Sequence, residues 1–418
     1  MSKIWHPFTQ EKTAQHPLEI IKGSEEYLFD ASGKRYVDMV SSWWVNILGH
    51  ANPDIADAIS AQAHTLEHVI FAGFSHEPAE QLVAKLSKFL PNSLSKFFFS
   101  DDGSTAVEVA LKMCYQFFTN RGIRGRNVFI NLQGGYHGDT LGAMSAAGCS
   151  SEYHSTFGEF FFRTFSIKFP KTRQDETDAL AELEKFLAHE HEKVCALIVE
   201  PLVQGAAGMR MYSPRFLDAV VNAVRQHGIL VIFDEVMTGF FRTGTMFAFE
   251  QCSVVPDVIC LSKGLTGGFL PLSLTVVTES IYEAFLSDDW KKAFIHGHSY
   301  TANPIACAAA LKAQELLQTP AVQENIKRIS QLHAELLAEL PDELIRERRH
   351  LGTIAAVDLT SSALADAAKL EMLEKGVIIR PLGNTVYFIP PYCTSEQSLR
   401  YAYQCLRDFL QSPQHSAT

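Results

Sequence analysis

Four predicted strand ends in this chain of 418 residues carry side chains that could do chemistry. Asp234 closes the apolar run GILVIFDEV, and Lys263 closes the run DVICLSK. Gly103 and Ser104 follow KFFFSD at the predicted start of a helix, and Tyr136 follows a pair of glycines in NLQGGYHGDT. Ligands of open parallel sheets bind beyond the carboxyl ends of the strands, so we expect these residues to meet around one ligand.

This set of residue types is what pyridoxal phosphate requires. A desolvated Lys263 amine would be neutral and could form a Schiff base, and the Asp234 carboxylate would keep the pyridine nitrogen protonated. The helix start at Gly103 and Ser104 would bind the phosphate, and the Tyr136 ring would lie at the cofactor. Each residue alone has a simpler reading, as a surface lysine, a turn or cap residue, or a packing tyrosine. Their common place at strand ends favours the cofactor.

Alternating apolar and amphipathic segments predict the elements that would hold these residues. Residues 104–119 and 213–228 have helical spacing, and the second segment starts with a Ser cap and a Pro in its first turn. Uninterrupted apolar runs favour buried strands in a mostly parallel sheet with helices on both faces, an α/β fold. These runs cover residues 96–101, 127–132, 194–202, 228–236, 257–263 and 272–279.

The pattern changes after about residue 318. A polar-faced helix and three short strand-like runs, GTIAAVDL, GVIIRP and TVYFIPP, indicate a smaller α+β lobe. We therefore predict an N-terminal arm at 1–40 that is part of this lobe, a large cofactor-binding domain at 41–318, and a C-terminal small domain at 319–418.

Composition excludes several classes of partner. The formal net charge is −11, from 47 acidic and 36 basic residues, and no basic run offsets it, which argues against nucleic acid and anionic membranes. The eight cysteines are scattered singly, without metal-type spacing, so no metal site is expected. The chain has neither the apolar core of a signal peptide nor a membrane-length apolar stretch, and we expect a cytoplasmic protein.

Longer motifs carry a family resemblance. FDEVMTGFFRTG, LSKGLTGG and HGHSYTANPIACAAA together resemble the class III pyridoxal phosphate-dependent aminotransferases of fold type I. IWHPFTQ, SSWWVNILGH, GGYHGDTLGAMS, EPLVQGAAGMRMY and IRPLGNTVYFIPPY are similar to the biotin-pathway members of that class, over about residues 4 to 392. The resemblance implies amination of 8-amino-7-oxononanoate through pyridoxamine phosphate, with S-adenosylmethionine as donor, in a homodimer with shared active sites.

The resemblance also implies residue roles in catalysis and cofactor binding. Lys263 would form the Schiff base and move the proton, Asp234 would pair with the pyridine nitrogen, and Tyr136 would lie at the cofactor ring and the substrate. Gly103 and Ser104 would bind the phosphate.

Further roles follow for the substrate and the partner subunit. Gly297, His298 and Ser299 would supply substrate and phosphate contacts, the phosphate contact reaching across from the partner. Arg380 would clamp the carboxylate of the substrate, which suits its planar fork.

The adjacent tryptophans Trp43 and Trp44 would line the tunnel for a long aliphatic substrate. If the backbone is extended there, neighbouring side chains point to opposite sides, and only one of the two tryptophans could face the ligand fully. We favour Trp43 as that residue; the alternative is that both tryptophans belong to the core.

Four residues depart from the family pattern: Phe8 where a tyrosine is expected, His298 and Ser299 where Pro-Thr is common, and Phe241 in place of the usual glycine. They leave the donor open between S-adenosylmethionine and lysine. Another class III ω-amino acid or diamine aminotransferase is the nearest alternative, and a regulator or scaffold that binds the cofactor without catalysis is a second. A sugar- or nucleotide-binding module is a third, but GGYHG does not match the G-x-G-x-x-G fingerprint.

Overall fold

The computed structural model describes residues 3–148 and 155–413. Its strands, in chain order, are β1 Ile20–Ser24, β2 Tyr27–Asp30, β3 Arg35–Asp38, β4 Leu94–Ser100, β5 Val128–Leu132, β6 Thr164–Ile167, β7 Val194–Val199, β8 Val203–Gln204, β9 Arg210–Met211, β10 Leu230–Asp234, β11 Val258–Leu261, β12 Ser273–Thr278, β13 Ile345–Leu351, β14 Ile354–Leu359, β15 Val377–Ile378 and β16 Thr385–Phe388. Its α-helices are α1 Ser41–Trp44, α2 Pro53–Thr65, α3 Glu77–Leu86, α4 Gly103–Asn120, α5 Leu141–Ala147, α6 Arg173–Glu190, α7 Pro214–Arg225, α8 Glu279–Glu283, α9 Pro304–Leu317, α10 Pro320–Ala338, α11 Ser362–Glu374 and α12 Glu396–Gln411.

The largest sheet among these residues has the strand order β4-β12-β11-β10-β7-β5-β6. It confirms the predicted α/β fold with a mostly parallel central sheet. Only β12 runs against its neighbours, antiparallel to both β11 and β4. The connection from β11 to β12, residues 262–272, is shorter than the dozen or more residues that a parallel crossover needs. A continuous apolar run indicates that a strand is buried but does not indicate the direction in which it runs. The antiparallel orientation of β12 could therefore not be predicted from the sequence pattern.

The two predicted helices of this region form, with small changes at their ends. The first is α4, which begins at Gly103 because Asp102 caps it: the Asp102 carboxylate accepts the N–H of Thr105 at 2.8 Å. The second is α7, which is capped by Ser213 as expected but ends at Arg225, ahead of Gly228 with its φ of +65°.

Between β10 and β11 the crossover is made without an α-helix. Residues 235–257 form turns and one 3₁₀ segment, Ala248–Gln251. Phe240, Phe247 and Phe249 are buried there, and the rings of Phe247 and Phe249 stack with centroids 5.8 Å apart. Buried aromatic side chains therefore cover this part of the sheet, where a helix would otherwise pack.

A second hydrophobic cluster belongs to the two smaller sheets, β1-β2-β3-β15 and β13-β14-β16, with α10, α11 and α12. The three strand-like runs predicted after residue 350 are β14, β15 and β16. The N-terminal strand β3 pairs in parallel with β15, which joins residues 35–38 to the C-terminal part of the chain. The division at residues 40 and 318 stays a prediction.

Every helix in residues 3–148 and 155–413 falls short of the length and apolar content that crossing a bilayer requires.

Candidate active site

A cavity of about 850 Å³ opens where five strands of the large sheet end. Ser104, Tyr136, Glu200, Asp234 and Lys263, which come at or soon after the ends of β4, β5, β7, β10 and β11, all line it. These five strands run in the same direction, so their carboxyl ends meet at one edge of the sheet. The structure therefore brings together Ser104, Tyr136, Asp234 and Lys263, which we selected at strand ends, and adds Glu200 to them.

Lys263 reaches the cavity from a strained backbone position. Its φ is +46°, in the left-handed region that costs a non-glycine residue roughly 1–2 kcal/mol. Its Nζ atom lies 4.9 Å from the ring centroid of Trp44, and burial lowers the pKa of the amine. A larger share of neutral amine is what a nucleophilic lysine needs.

Asp234 is held from both sides. Its Oδ1 accepts the N–H of Val236 at 3.1 Å, and its Oδ2 lies 2.7 Å from Nδ1 of His137. Asp234 and His137 are buried, and His137 Nε2 has no hydrogen-bond partner among the described residues. His137 received no role from the sequence, because nothing in the sequence shows that this residue, 97 positions from Asp234, contacts the carboxylate.

The start of α4 is shaped for a close approach. A Cβ on Gly103 would lie 2.7 Å from Val236 Cγ1, and one on Gly138 would lie 2.1 Å from Ser104 Oγ. Gly138 also has a φ of +121°, which other residues rarely adopt. Gly103 and Ser104 line the cavity at the positive end of the helix dipole, so an anion is favoured there.

Tyr136 is anchored at its backbone and at its hydroxyl. The hydroxyl donates to Asp139 Oδ2 at 2.8 Å, and the backbone N–H donates to Glu200 Oε2 at 3.0 Å. Burial and the nearby carboxylates raise the pKa of the phenol well above its usual range, so Tyr136 stays a neutral donor.

Glu200 is a residue that sequence reasoning missed. It is buried, its Oε1 accepts the N–H of Gly205 at 2.9 Å, and burial raises its pKa to about 7. The available signal was its position: Glu200 follows the apolar run of β7 as Asp234 ends that of β10.

The backbone around the tryptophans is not extended, so their side chains are not directed to opposite sides. Ser41–Trp44 form a tight turn with non-helical dihedral angles, in which Ser41, Ser42 and Trp44 have φ values of +47°, +60° and +67°. Buried Asp38 accepts the N–H groups of Val40 and Ser42 at 3.0 and 2.6 Å. These bonds support the turn against its own strain.

Because the backbone turns, both tryptophans line the cavity. Trp44 is only 5 % exposed, and its Nε1 donates to the Tyr387 hydroxyl at 3.1 Å. Trp43 is more exposed and lies between two other cavity residues: the Arg380 guanidinium carbon is 3.9 Å from its ring centroid, and the Phe8 ring meets it edge-on at 5.4 Å.

Arg380 offers a cation to the cavity. Among the described residues, no carboxylate lies within 4 Å of its guanidinium, which stacks on Trp43 instead. An arginine fixed by stacking, with its donors unpaired by acid, suits the binding of a carboxylate ligand.

Gly297, His298 and Ser299 do not line the cavity of their own chain. They lie in the loop before α9, where Gly297 and Ser299 are exposed. His298 Nε2 is 4.0 Å from Oδ1 of Asp101, a residue at the cavity wall. The role assigned to these three residues stays a prediction that needs a second subunit.

The cavity residues fit pyridoxal phosphate. They supply an amine at Lys263, a buried carboxylate at Asp234, an anion-binding helix start at Ser104 and an aromatic wall at Trp44. This donor set is suited to the cofactor's aldehyde, ring nitrogen, phosphate and ring face.

Comparisons with known proteins agree with this chemistry. An adenosylmethionine-8-amino-7-oxononanoate aminotransferase from Synechococcus elongatus is 46% identical over 421 residues, covering 97% of this chain and 98% of that protein. The crystal structure of the enzyme so named from Methanocaldococcus jannaschii is 36% identical with a TM-score of 0.93, covering 98% of this chain and 97% of that one.

A broader similarity includes other transaminases. A pyridoxal phosphate-bound amine transaminase from an uncultivated Pseudomonas species is 29% identical with a TM-score of 0.90, covering 98% of both chains. The family model described as aminotransferase class-III matches residues 8–410. The chain thus belongs to the class-III aminotransferases, and it is a pyridoxal phosphate-dependent transaminase.

Proposed function

We propose that the chain aminates 8-amino-7-oxononanoate to 7,8-diaminononanoate in biotin biosynthesis, with S-adenosylmethionine as the amino donor. The observation that carries this proposal is the set of relatives with that enzyme name, which are 35% to 46% identical over nearly the whole chain. The similar amine and omega transaminase structures share the fold at only 26% to 29% identity.

Lys263 would hold the cofactor and move the proton. Bound pyridoxal phosphate supplies a carbon that joins the amine and a ring that accepts the electron pair released when the Cα–H bond breaks. The Lys263 amine, with its pKa lowered by burial, is suited to take that proton and return it.

Asp234 and the start of α4 would fix the cofactor's position. The Asp234 carboxylate would hold the ring nitrogen, because its place is set by His137 and the Val236 N–H. Gly103 and Ser104 would bind the phosphate. Tyr136, whose neutral hydroxyl lies in the same cavity, would contact the cofactor and the substrate.

The remaining cavity wall suits the acceptor. A long aliphatic chain with a terminal carboxylate needs an apolar surface and a cation. Trp43 would supply the surface, and Arg380, stacked on it, would bind the carboxylate with two parallel N–H donors.

A homodimer would complete the site. The side chains flanking Gly297, His298 and Ser299 are unusually exposed for their type, with Ile295 at 64 % and Tyr300 at 68 %. A second copy that covers this surface would receive His298 and Ser299 at its phosphate site.

The seven cysteines that the structure describes are unpaired, which supports a cytoplasmic location.

Phe8 bears on the identity of the amino donor. Phe8 lies against Trp43 and brings no hydroxyl to the cavity, where the family resemblance predicts a tyrosine. Lysine is therefore the alternative donor.

Paired reactions test both the acceptor and the donor. Purified enzyme is incubated with 8-amino-7-oxononanoate and either S-adenosylmethionine or lysine, and 7,8-diaminononanoate is measured by mass spectrometry, with Lys263→Ala as the inactive control. Product with S-adenosylmethionine supports the proposal, and product with lysine alone replaces the donor. Turnover of simple ω-amines without product from either donor would assign the chain to another class III activity.

A further inference from the structure

Three polar side chains on one face of α4 bind the segment that leads into Gly297. Lys112, Gln116 and Asn120 are spaced by four residues, so they lie one above another on the helix. Gln116 Nε2 donates to the carbonyls of Lys292 and Ala293 at 3.2 and 2.9 Å, and Asn120 Nδ2 donates to the Lys292 carbonyl at 2.9 Å.

Lys112 extends this contact to the last residue before Gly297. Its Nζ lies 2.8 Å from His296 Nδ1, and burial together with Lys112 lowers the pKa of that imidazole, which favours a neutral ring that accepts the bond. Phe294 packs on the neighbouring strand β4, with its ring 5.3 Å from that of Phe98. Residues 292–296 are thus held by three side chains of α4 and by one aromatic contact to β4.

The far side of the loop has a separate anchor. His76 Nε2 lies 2.6 Å from the Ala302 carbonyl, and Asn303 Nδ2 donates to the Glu67 carbonyl at 2.9 Å. Between the two anchors, Gly297, Ser299 and Tyr300 are exposed, and the Thr301 hydroxyl, donating to the His298 carbonyl at 2.8 Å, closes a short turn there. Fixed ends with exposed residues between them are the arrangement expected of a segment that contacts another molecule.

We propose that Lys112, Gln116 and Asn120 are positioning residues for the cofactor site of the partner subunit: they hold residues 292–296 so that His298 and Ser299 meet the partner's bound phosphate. This inference rests on the proposed function, because it needs the cofactor and the second copy. Beyond the proposed function, it assigns helix α4 two separate roles. The helix start binds phosphate in its own subunit, and its outer face, about 20 Å further along at a rise of roughly 1.5 Å per residue, places the contact for the other.

Mixed dimers separate an effect on the partner's site from an effect within the same subunit. In the first dimer, one subunit carries Gln116→Leu and Lys263→Ala and the other is unchanged, so the only Lys263 site receives its loop from the altered α4. In the second, Gln116→Leu and Lys263→Ala are on different subunits, so the only Lys263 site receives an unaltered loop. The readout is the affinity for pyridoxal phosphate, titrated by the visible band of the lysine-bound cofactor.

The inference predicts roughly tenfold weaker cofactor binding in the first dimer and near-normal binding in the second, since one hydrogen-bonding group is lost and a phosphate contact is displaced. Normal binding in the first dimer, or weak binding in the second, would overturn it. Lys112→Met, tested in the same two arrangements, must give the same pattern. Gln323→Leu is the matched control, because Gln323 also donates to a backbone carbonyl, that of Leu317, but on α10. If the unmixed wild-type enzyme forms product while both dimers bind normally, only this inference fails and the proposed function stands.

Discussion

Arg380 is the residue on which acceptor recognition depends in this account. Its guanidinium stacks on Trp43 and, among the described residues, has no acidic partner. We expect Arg380→Ala to raise KM for 8-amino-7-oxononanoate by roughly 10²-fold, because a bidentate charged contact contributes about 2–3 kcal/mol, while KM for the donor changes little. Steady-state kinetics with each substrate varied in turn measures both constants.

The matched control is Arg121→Ala, which also removes a guanidinium from an aromatic ring, that of Phe117, at 5.1 Å. It should leave both constants unchanged. Equal losses for donor and acceptor in Arg380→Ala would remove the proposed role of this arginine.

Glu200 gives a prediction about pH. A free glutamate loses its proton near pH 4.5, whereas burial raises the pKa of Glu200 to about 7. The folded state therefore binds this proton more tightly than the unfolded state does, and Glu200 lowers folding stability as pH rises from about 4.5 to 7. Glu200→Gln should gain up to about 3 kcal/mol in free energy of unfolding relative to the wild type between pH 5 and pH 8. Urea unfolding at fixed protein concentration checks this, and a difference independent of pH would contradict it.

Individual residues also show which parts of the site could be predicted from the sequence. Lys263 and Asp234 could be predicted because each closes an apolar strand, and strand ends of a parallel sheet meet. The residues that contact or surround them could not: His137 reaches Asp234 across 97 positions, and Glu200 lies in the run 194–202, which was predicted only as a buried strand. Contacts of this kind follow from the fold and leave no local pattern.

At the scale of elements, the turn at Ser41–Trp44 positions both tryptophan side chains at the cavity. Asp38 accepts two backbone N–H groups of this turn and lies 2.8 Å from His50 Nε2. We expect Asp38→Ala to release the strained turn, to lower the free energy of unfolding by roughly 3 kcal/mol, and to raise KM for the acceptor. Thermal or urea unfolding together with acceptor kinetics measures both effects.

Asp30→Ala is the control for this prediction. Asp30 likewise accepts backbone N–H groups, from Ser32 and Lys34, but in an exposed turn away from the cavity. Its replacement should lower stability modestly and leave the acceptor KM unchanged. An Asp38→Ala enzyme with an unchanged acceptor KM would show that the turn holds its shape without the carboxylate.

Elements differed in how well the sequence predicted them. Helices α4 and α7 were predicted because caps and helical spacing agree along the whole segment. The tryptophan turn was not, because positive φ at serine and tryptophan goes against local preference and is imposed by Asp38 and the surrounding core. The reversal of β12 follows from the length of a loop, which an apolar pattern does not report.

At the scale of the whole molecule, the proposed shared active sites require a dimer. The loop that carries His298 and Ser299 lies outside the cavity of its own chain, and large apolar side chains beside it are exposed. We expect sedimentation to give twice the chain mass of 46.5 kDa at working concentrations. Dilution that dissociates the dimer should release the cofactor in parallel. A monomer that retains full activity would contradict shared sites.

The proposed amination of 8-amino-7-oxononanoate is tested most directly by the acceptor half-reaction. Enzyme loaded with pyridoxamine phosphate is mixed with 8-amino-7-oxononanoate alone, and the visible band of the pyridoxal form is followed in a single turnover while 7,8-diaminononanoate is quantified. We expect return of the band with one product molecule per site, and neither signal in Lys263→Ala. No return of the band with this acceptor, in an enzyme that responds to simple aldehydes or ketones, would contradict it.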